Sequence, residues 1–147
     1  MLYFEDFTEG QVMELGTIPV LSEDEIIAFA RQYDPQPFHI DPVAAKDSIY
    51  GGLIASGWQT ALLTMRLMVD EVLNNTAAQG SPGVENIRFL KPVRAGDRLR
   101  GRYTVLRAEP SRNPTRGKVL GRTELLNDAG EAVYQVDGWT LIGRQPS

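Results

Sequence analysis

Trp58-Gln59-Thr60-Ala61-Leu62-Leu63-Thr64-Met65-Arg66-Leu67-Met68-Val69-Asp70-Glu71-Val72-Leu73 is the stretch that decides the fold. Ala61, Leu62, Met65, Met68, Val69 and Val72 leave it little polar face. A helix that is apolar almost all round is normally buried on most sides, so the pattern predicts a central helix from Trp58 to Leu73 wrapped by a sheet. Arg66, Asp70 and Glu71 argue against a membrane span.

Toward the N-terminus, Gly51-Gly52 separates this helix from Asp41-Pro42, where an aspartate N-cap before a proline predicts a short helix. Further back, Ser22-Glu23-Asp24-Glu25 is a capping box with acidic residues in its first turn. Ile26, Ile27, Phe29, Ala30 and Tyr33 follow at helical spacing, predicting a helix from Glu23 to Gln32 that Pro35 and Pro37 bring to an end. Gln11 to Leu21 reads as a strand ending near Pro19. Toward the C-terminus, Asn74 to Gly83 reads as a loop, and strands follow over Val84–Val93, Asp97–Arg107, Lys118–Leu126 and Glu131–Ile142. Leu99, Tyr103 and Val105 alternate with Arg98, Arg100 and Arg102, which marks one buried and one wet face. Asn127-Asp128-Ala129-Gly130 reads as a hairpin turn, and Glu109 to Gly117 as a longer polar loop. The expected architecture is α+β, a curled antiparallel sheet around one long helix. Its open outer face suits pairing with a second copy.

A length of 147 residues suits one domain over residues 1–147 and leaves no room for a second core. The net charge of -4 argues against a nucleic-acid binder, which usually carries a basic stripe. Arginines recur between Arg88 and Arg122, so a local positive patch suited to substrate phosphates stays open, beside the plainer reading of a solvated strand face for Arg88, Lys91 and Arg94. The absence of cysteine removes disulfides, thiolate zinc sites and cysteine nucleophiles together. Met1-Leu2-Tyr3-Phe4-Glu5-Asp6 lacks a basic region and an apolar run, so a cytoplasmic location is the expectation. His39 is the only histidine, so any imidazole chemistry must use it, and metal catalysis through two or three histidines is excluded.

Tyr33-Asp34-Pro35-Gln36-Pro37-Phe38-His39-Ile40-Asp41 puts a carboxylate and the sole imidazole five residues apart on a proline-stiffened connection. General acid–base catalysis needs two such groups held within reach of one water, and histidine exchanges protons near neutral pH. The plainer alternative has Asp34 capping a turn and His39 as a satisfied structural residue. Asp41 is read as a helix cap.

The same segment resembles the hydratase motif of the MaoC-like, (R)-specific enoyl-CoA hydratase family, Asp-x-Asn-Pro-x-His-x-Asp, through Asp34, Pro37, His39 and Asp41. Gly51-Gly52-Leu53-Ile54-Ala55-Ser56-Gly57 resembles that family's turn into its central helix. Ile87 to Asp97, through Phe89, Pro92, Val93, Gly96 and Asp97, is similar to its strand signature, Phe-x-x-Pro-Val-x-x-Gly-Asp. Gln36 stands where the family usually has asparagine, and Ser56 where it commonly has histidine.

The resemblance implies a hot-dog fold, usually assembled as a homodimer, and hydration of trans-2-enoyl thioesters to 3-hydroxyacyl thioesters, or the reverse dehydration. By carry-over Asp34 and His39 are the catalytic pair and Gly57 an oxyanion donor through its backbone N–H. The last role agrees with its place at a helix start, where free N–H groups and the dipole favour negative charge; close packing is the other reason for a glycine there. Gln36, Ser56 and Trp58 are candidate substrate-binding residues, and Trp58 and Met65 suit either an acyl tunnel or the core. No metal or redox cofactor is implied; coenzyme A or a pantetheine enters only as part of the substrate. Two rivals share the fold: a thioesterase directing water to the carbonyl, and a non-catalytic acyl-thioester-binding subunit.

Overall fold

The capping box at Ser22 starts the first helix. Ser22 Oγ accepts from the Glu25 N–H at 3.1 Å, and Glu25 Oε1 accepts from the Ser22 N–H at 3.1 Å. In this computed structural model, which describes residues 1–147, α1 then runs Glu23–Tyr33 with Ile26 and Ala30 buried. Two short helices follow, α2 (Pro37–Ile40) and α3 (Pro42–Lys46). Only α3 follows from the sequence reading. Its cap is Asp41, whose Oδ1 accepts from the N–H groups of Val43 and Ala44 at 3.0 and 3.2 Å. The segment read as a stiff connection contains α2, because Pro37 starts a turn as readily as it stops one. At the first helical position its missing N–H has no partner to lose.

One antiparallel sheet holds β1 (Val12–Thr17), β2 (Val84–Phe89), β3 (Arg100–Pro110), β4 (Arg116–Leu126) and β5 (Ala132–Gly143), in the order β1-β3-β4-β5-β2. The β3–β4 ladder reaches Pro110 and Gly117, leaving a shorter loop than expected. Conversely β2 stops at Phe89 rather than Val93. The N–H groups of both Leu90 and Lys91 turn to the Val133 carbonyl, and Pro92 has no N–H with which to resume pairing. Leu99, Tyr103 and Val105 are buried while Arg98 and Arg100 are exposed, as their alternation predicts. On the sheet face opposite Val136, Arg122 grips the buried Asp137 through two hydrogen bonds of 2.8 and 3.0 Å. Asn86, in the left-handed region at φ 54°, donates to the same carboxylate at 3.1 Å from a bulge in β2.

The sheet curls around α4 (Gly57–Glu71), with Leu67 and Met68, and Val72 just past its end, in the core. The approach is close enough that a Cβ on Gly101 of β3 would lie 2.6 Å from Leu67. One expectation needs correcting. α4 is not covered on most sides, because Trp58, Leu62 and Met65 are each more than half exposed while Gln59, Thr60 and Thr64 turn inward. Two inward side chains donate to carbonyls, Thr64 to that of Thr60 at 2.8 Å and Gln59 Nε2 to that of Glu25 at 3.2 Å, while Gln59 Oε1 is buried without a partner. An uncovered apolar strip on α4 therefore faces the same groove as Val84 and Ile87 of the open edge strand β2. No helix is long and apolar enough to cross a membrane.

Candidate active site

Three helix ends meet at the site. Asp34 closes α1, its N–H donating to the Ala30 carbonyl at 2.7 Å. His39 rides on α2, and Ile54 N–H donates to the Phe38 carbonyl at 3.1 Å, tying α2 to the segment that enters α4. The His39 ring is fixed by the same tie, because its Nδ1 lies 2.8 Å from the Ile54 carbonyl. A carbonyl only accepts, so Nδ1 carries the proton and Nε2 is left to exchange one. That Nε2 lies 3.3 Å from Asp34 Oδ2. Phe38 meets the imidazole edge-on at 4.6 Å.

The carboxylate of Asp34 accepts from side chains rather than from the backbone. Gln36 Nε2 donates to Oδ1 at 2.6 Å and Ser56 Oγ to Oδ2 at 2.8 Å. Partial burial pushes the Asp34 carboxyl up, but the Gln36 and Ser56 hydrogen bonds, with the charge of His39, outweigh it and hold the group below the usual aspartate range. The longer Gln36 side chain thus still reaches the aspartate. Ser56 is fully buried, and its oxygen also accepts from the Trp58 N–H at 3.3 Å as the N-cap of α4. It therefore lies behind Asp34, outside the cavity wall, instead of facing a substrate.

Asp34, Gln36, His39, Gly57 and Trp58 line one cavity of about 480 Å³. His39 is buried, yet this cavity opens onto it. The N–H of Gly57, first in α4, makes no hydrogen bond within the chain. The reason for a glycine is visible: a Cβ would lie 2.6 Å from two ring carbons of Phe89. Close packing against Phe89 by itself excludes a side chain here.

Phe89, Tyr134, Tyr50 and Phe38 also line the cavity and were not singled out from the sequence. Phe89 sits in the quoted strand signature, but only its long-range contact with Gly57 marks it. Of the basic residues, Lys91 pairs with Glu131, and Arg94 donates to the Tyr50 carbonyl at 2.6 Å. Arg88 contributes to holding the Asp137 carboxyl low, behind its larger influences: burial, which raises it, then Arg122 and Asn86, which lower it. Trp58 lines the cavity and also, with Met65, the apolar groove beside α4. No group of three or more His, Cys, Asp or Glu side chains is placed to hold a metal ion.

A helix wrapped by a curled antiparallel sheet, with an Asp–His pair in a cavity at the helix start, defines a hot-dog protein. The sequence matches the MaoC-like domain over residues 6–125, and the chain belongs to the MaoC-like dehydratase family. It is 34% identical over 109 residues to the uncharacterized protein YdeM of Bacillus subtilis, covering 74% of this chain and 77% of that one. The crystal structure of a MaoC-like dehydratase from Rhodospirillum rubrum matches with a TM-score of 0.90 at 37% identity, over 100% of both chains. The unliganded R-hydratase PhaJ1 of Pseudomonas aeruginosa shares the fold, with a TM-score of 0.74 at 24% identity, over 98% of this chain and 87% of that one.

Proposed function

We propose that this chain adds water across the double bond of a trans-2-enoyl thioester, or runs the reaction in reverse. The observation that carries the reading is the Asp34–His39 pair, 3.3 Å apart, in one cavity with the unpartnered N–H of Gly57. The thioester oxygen docks on that N–H. Asp34, ionised at neutral pH, orients one water, and His39 Nε2 takes a proton from it as the oxygen bonds to C3. The C2–C3 π electrons move toward the carbonyl, forming an enolate that the Gly57 N–H stabilises at the positive end of α4. His39 then returns the proton to C2, so the elements of water are added and the thioester stays intact. The chemistry needs no group beyond the substrate, because conjugation to the thioester makes C3 electrophilic.

The assembly belongs to the same reading. All six residues of the edge strand β2 are exposed, and Val84, Ile87 and Phe89 stand beside the uncovered Trp58, Leu62 and Met65. An open edge next to an apolar strip is a surface that soluble proteins cover, and a second copy pairing along β2 does so, giving a homodimer.

The test is incubation of the purified protein with crotonyl-CoA while enoyl absorbance and free thiol are followed together. Loss of absorbance without thiol is the expected result. Thiol release at the rate of any absorbance change identifies a thioesterase instead. Binding without either change identifies a non-catalytic acyl-thioester-binding protein.

A further inference from the structure

The acid–base cavity is not the only concavity beside α4. A second one, of about 270 Å³, runs along the middle of the helix and is lined by Leu62, Met65, Met68, Ile87 and Val136 among others. No Asp, Glu, Lys, Arg or His lines it. Burial pushes the phenol of Tyr103, which also faces it, up to about 12, so it remains neutral as well. Trp58 and Tyr134 line both spaces. Phe89, which lines only the first, joins these two shared residues in an aromatic cluster: it meets Trp58 edge-on at 5.6 Å and lies 5.8 Å from Tyr134. Its ring rests on Gly57, where any side chain would collide with it.

We infer that Phe89 sets the acyl chain length this site accepts, its ring on Gly57 closing the reaction cavity against the apolar groove. The inference rests on the enoyl-thioester reading and extends it to the substrate class. With the ring seated, the cavity accommodates a short acyl group; a long alkyl tail needs the groove, and reaches it only past Phe89. The lining of the groove fits that occupant, since it is uncharged and mostly apolar and leaves an alkyl chain little to desolvate. Phe89 is half-exposed and stands outside the buried core cluster, so it is the member of the aromatic cluster that shortening removes at least cost to the core.

The experiment compares wild type, Phe89→Ala and Phe89→Leu on crotonyl-, octenoyl- and decenoyl-CoA, with thermal melting as the check on folding. Phe89→Leu keeps an apolar side chain on the strand if the alanine form does not fold. In wild type kcat/KM should fall from the four-carbon to the ten-carbon substrate, and in Phe89→Ala the ten-to-four-carbon ratio should rise at least tenfold, with Phe89→Leu between. Saturated butyryl- and decanoyl-CoA provide a readout independent of turnover, and the decanoyl-to-butyryl affinity ratio should shift in the same direction. Hydration with both ratios unchanged, or a wild type that already takes decenoyl-CoA as well as crotonyl-CoA, overturns the role of Phe89 and leaves the hydratase reading intact. A shifted affinity ratio in a protein that hydrates none of the three overturns the hydratase reading and leaves Phe89 as the chain-length limit. Neither binding nor turnover overturns both.

Discussion

Two aspartates in this molecule, Asp34 and Asp137, are held below the ordinary aspartate range, and they are held differently. Asp137 is buried on the sheet with Arg122 clamped to it by two hydrogen bonds and Asn86 by a third. Asp34 is held by a neutral amide, a neutral hydroxyl and the sole histidine, beside a cavity. A guanidinium stays charged at any working pH, so the first arrangement has no proton to exchange and acts as a clasp between β4, β5 and β2. In the second, neutral donors keep the carboxylate ionised while its partner is a group that gains and loses protons readily. A low carboxylate is therefore no sign of chemistry by itself; what distinguishes the two is the partner and the access.

Breaking the second arrangement should cost turnover. His39→Ala should lower kcat by roughly 10²–10⁴-fold, measured as enoyl-CoA hydration, with a melting temperature close to wild type. The Gly57 N–H is the next largest effect, but its test must respect Phe89: alanine or proline at 57 brings a carbon into the ring whatever happens to the donor. In a Phe89→Ala background the two replacements separate, since alanine keeps the N–H and proline deletes it. Ser56, at φ -58° and ψ 137°, already has the backbone that a residue before proline prefers. The proline form should fall below the alanine form by about 10²-fold in kcat, corresponding to ~3 kcal/mol. Equal rates would remove Gly57 from the mechanism.

Smaller effects sharpen the contrast. Ser56→Ala removes both a donor to Asp34 and the cap of α4, so it should lower turnover by about tenfold and stability by ~1 kcal/mol, read by kinetics and denaturant unfolding. Arg122→Ala should do the opposite, leaving enoyl-CoA turnover in the folded protein near wild type and costing about 2 kcal/mol of stability at neutral pH. The pH dependence of that loss has a defined sign. Asp137 has a lowered pKa in the folded chain, so its contribution is complete above the ordinary value of 3.8 and fades as pH falls through the folded value. The stability gap between wild type and Arg122→Ala should therefore narrow below about pH 4, as urea midpoints across pH will report.

Local signals were legible in the sequence, and distant ones were not. Ser22 and Asp41 announced their helices because a cap and its partners lie within three residues. The alternation of Leu99, Tyr103 and Val105 announced a two-faced strand. Asp34 and His39 were readable because prolines confine them to one short segment. Phe89 against Gly57 joins residues 32 apart, and Asn86 with Asp137 joins residues 51 apart, so no local pattern records either. Asn86 did carry a weak clue, since an asparagine inside a strand favours the left-handed turn it makes here. The coverage of α4 departs from its apolar pattern for a related reason. Composition marks the whole helix as apolar, but Thr60 and Thr64 turn inward, Thr64 by bonding to the Thr60 carbonyl, leaving Trp58, Leu62 and Met65 outside.

The most direct test of the whole account is Asp34→Asn, which keeps the side chain's shape while removing its charge. The measurement is kcat for crotonyl-CoA hydration at saturating substrate, alongside melting temperature, for this variant and wild type. A drop in kcat of at least 10²-fold with melting unchanged to within a few degrees is the predicted result. Wild-type turnover in a folded Asp34→Asn protein would contradict the account, because the carboxylate beside His39 would then have no part in the chemistry.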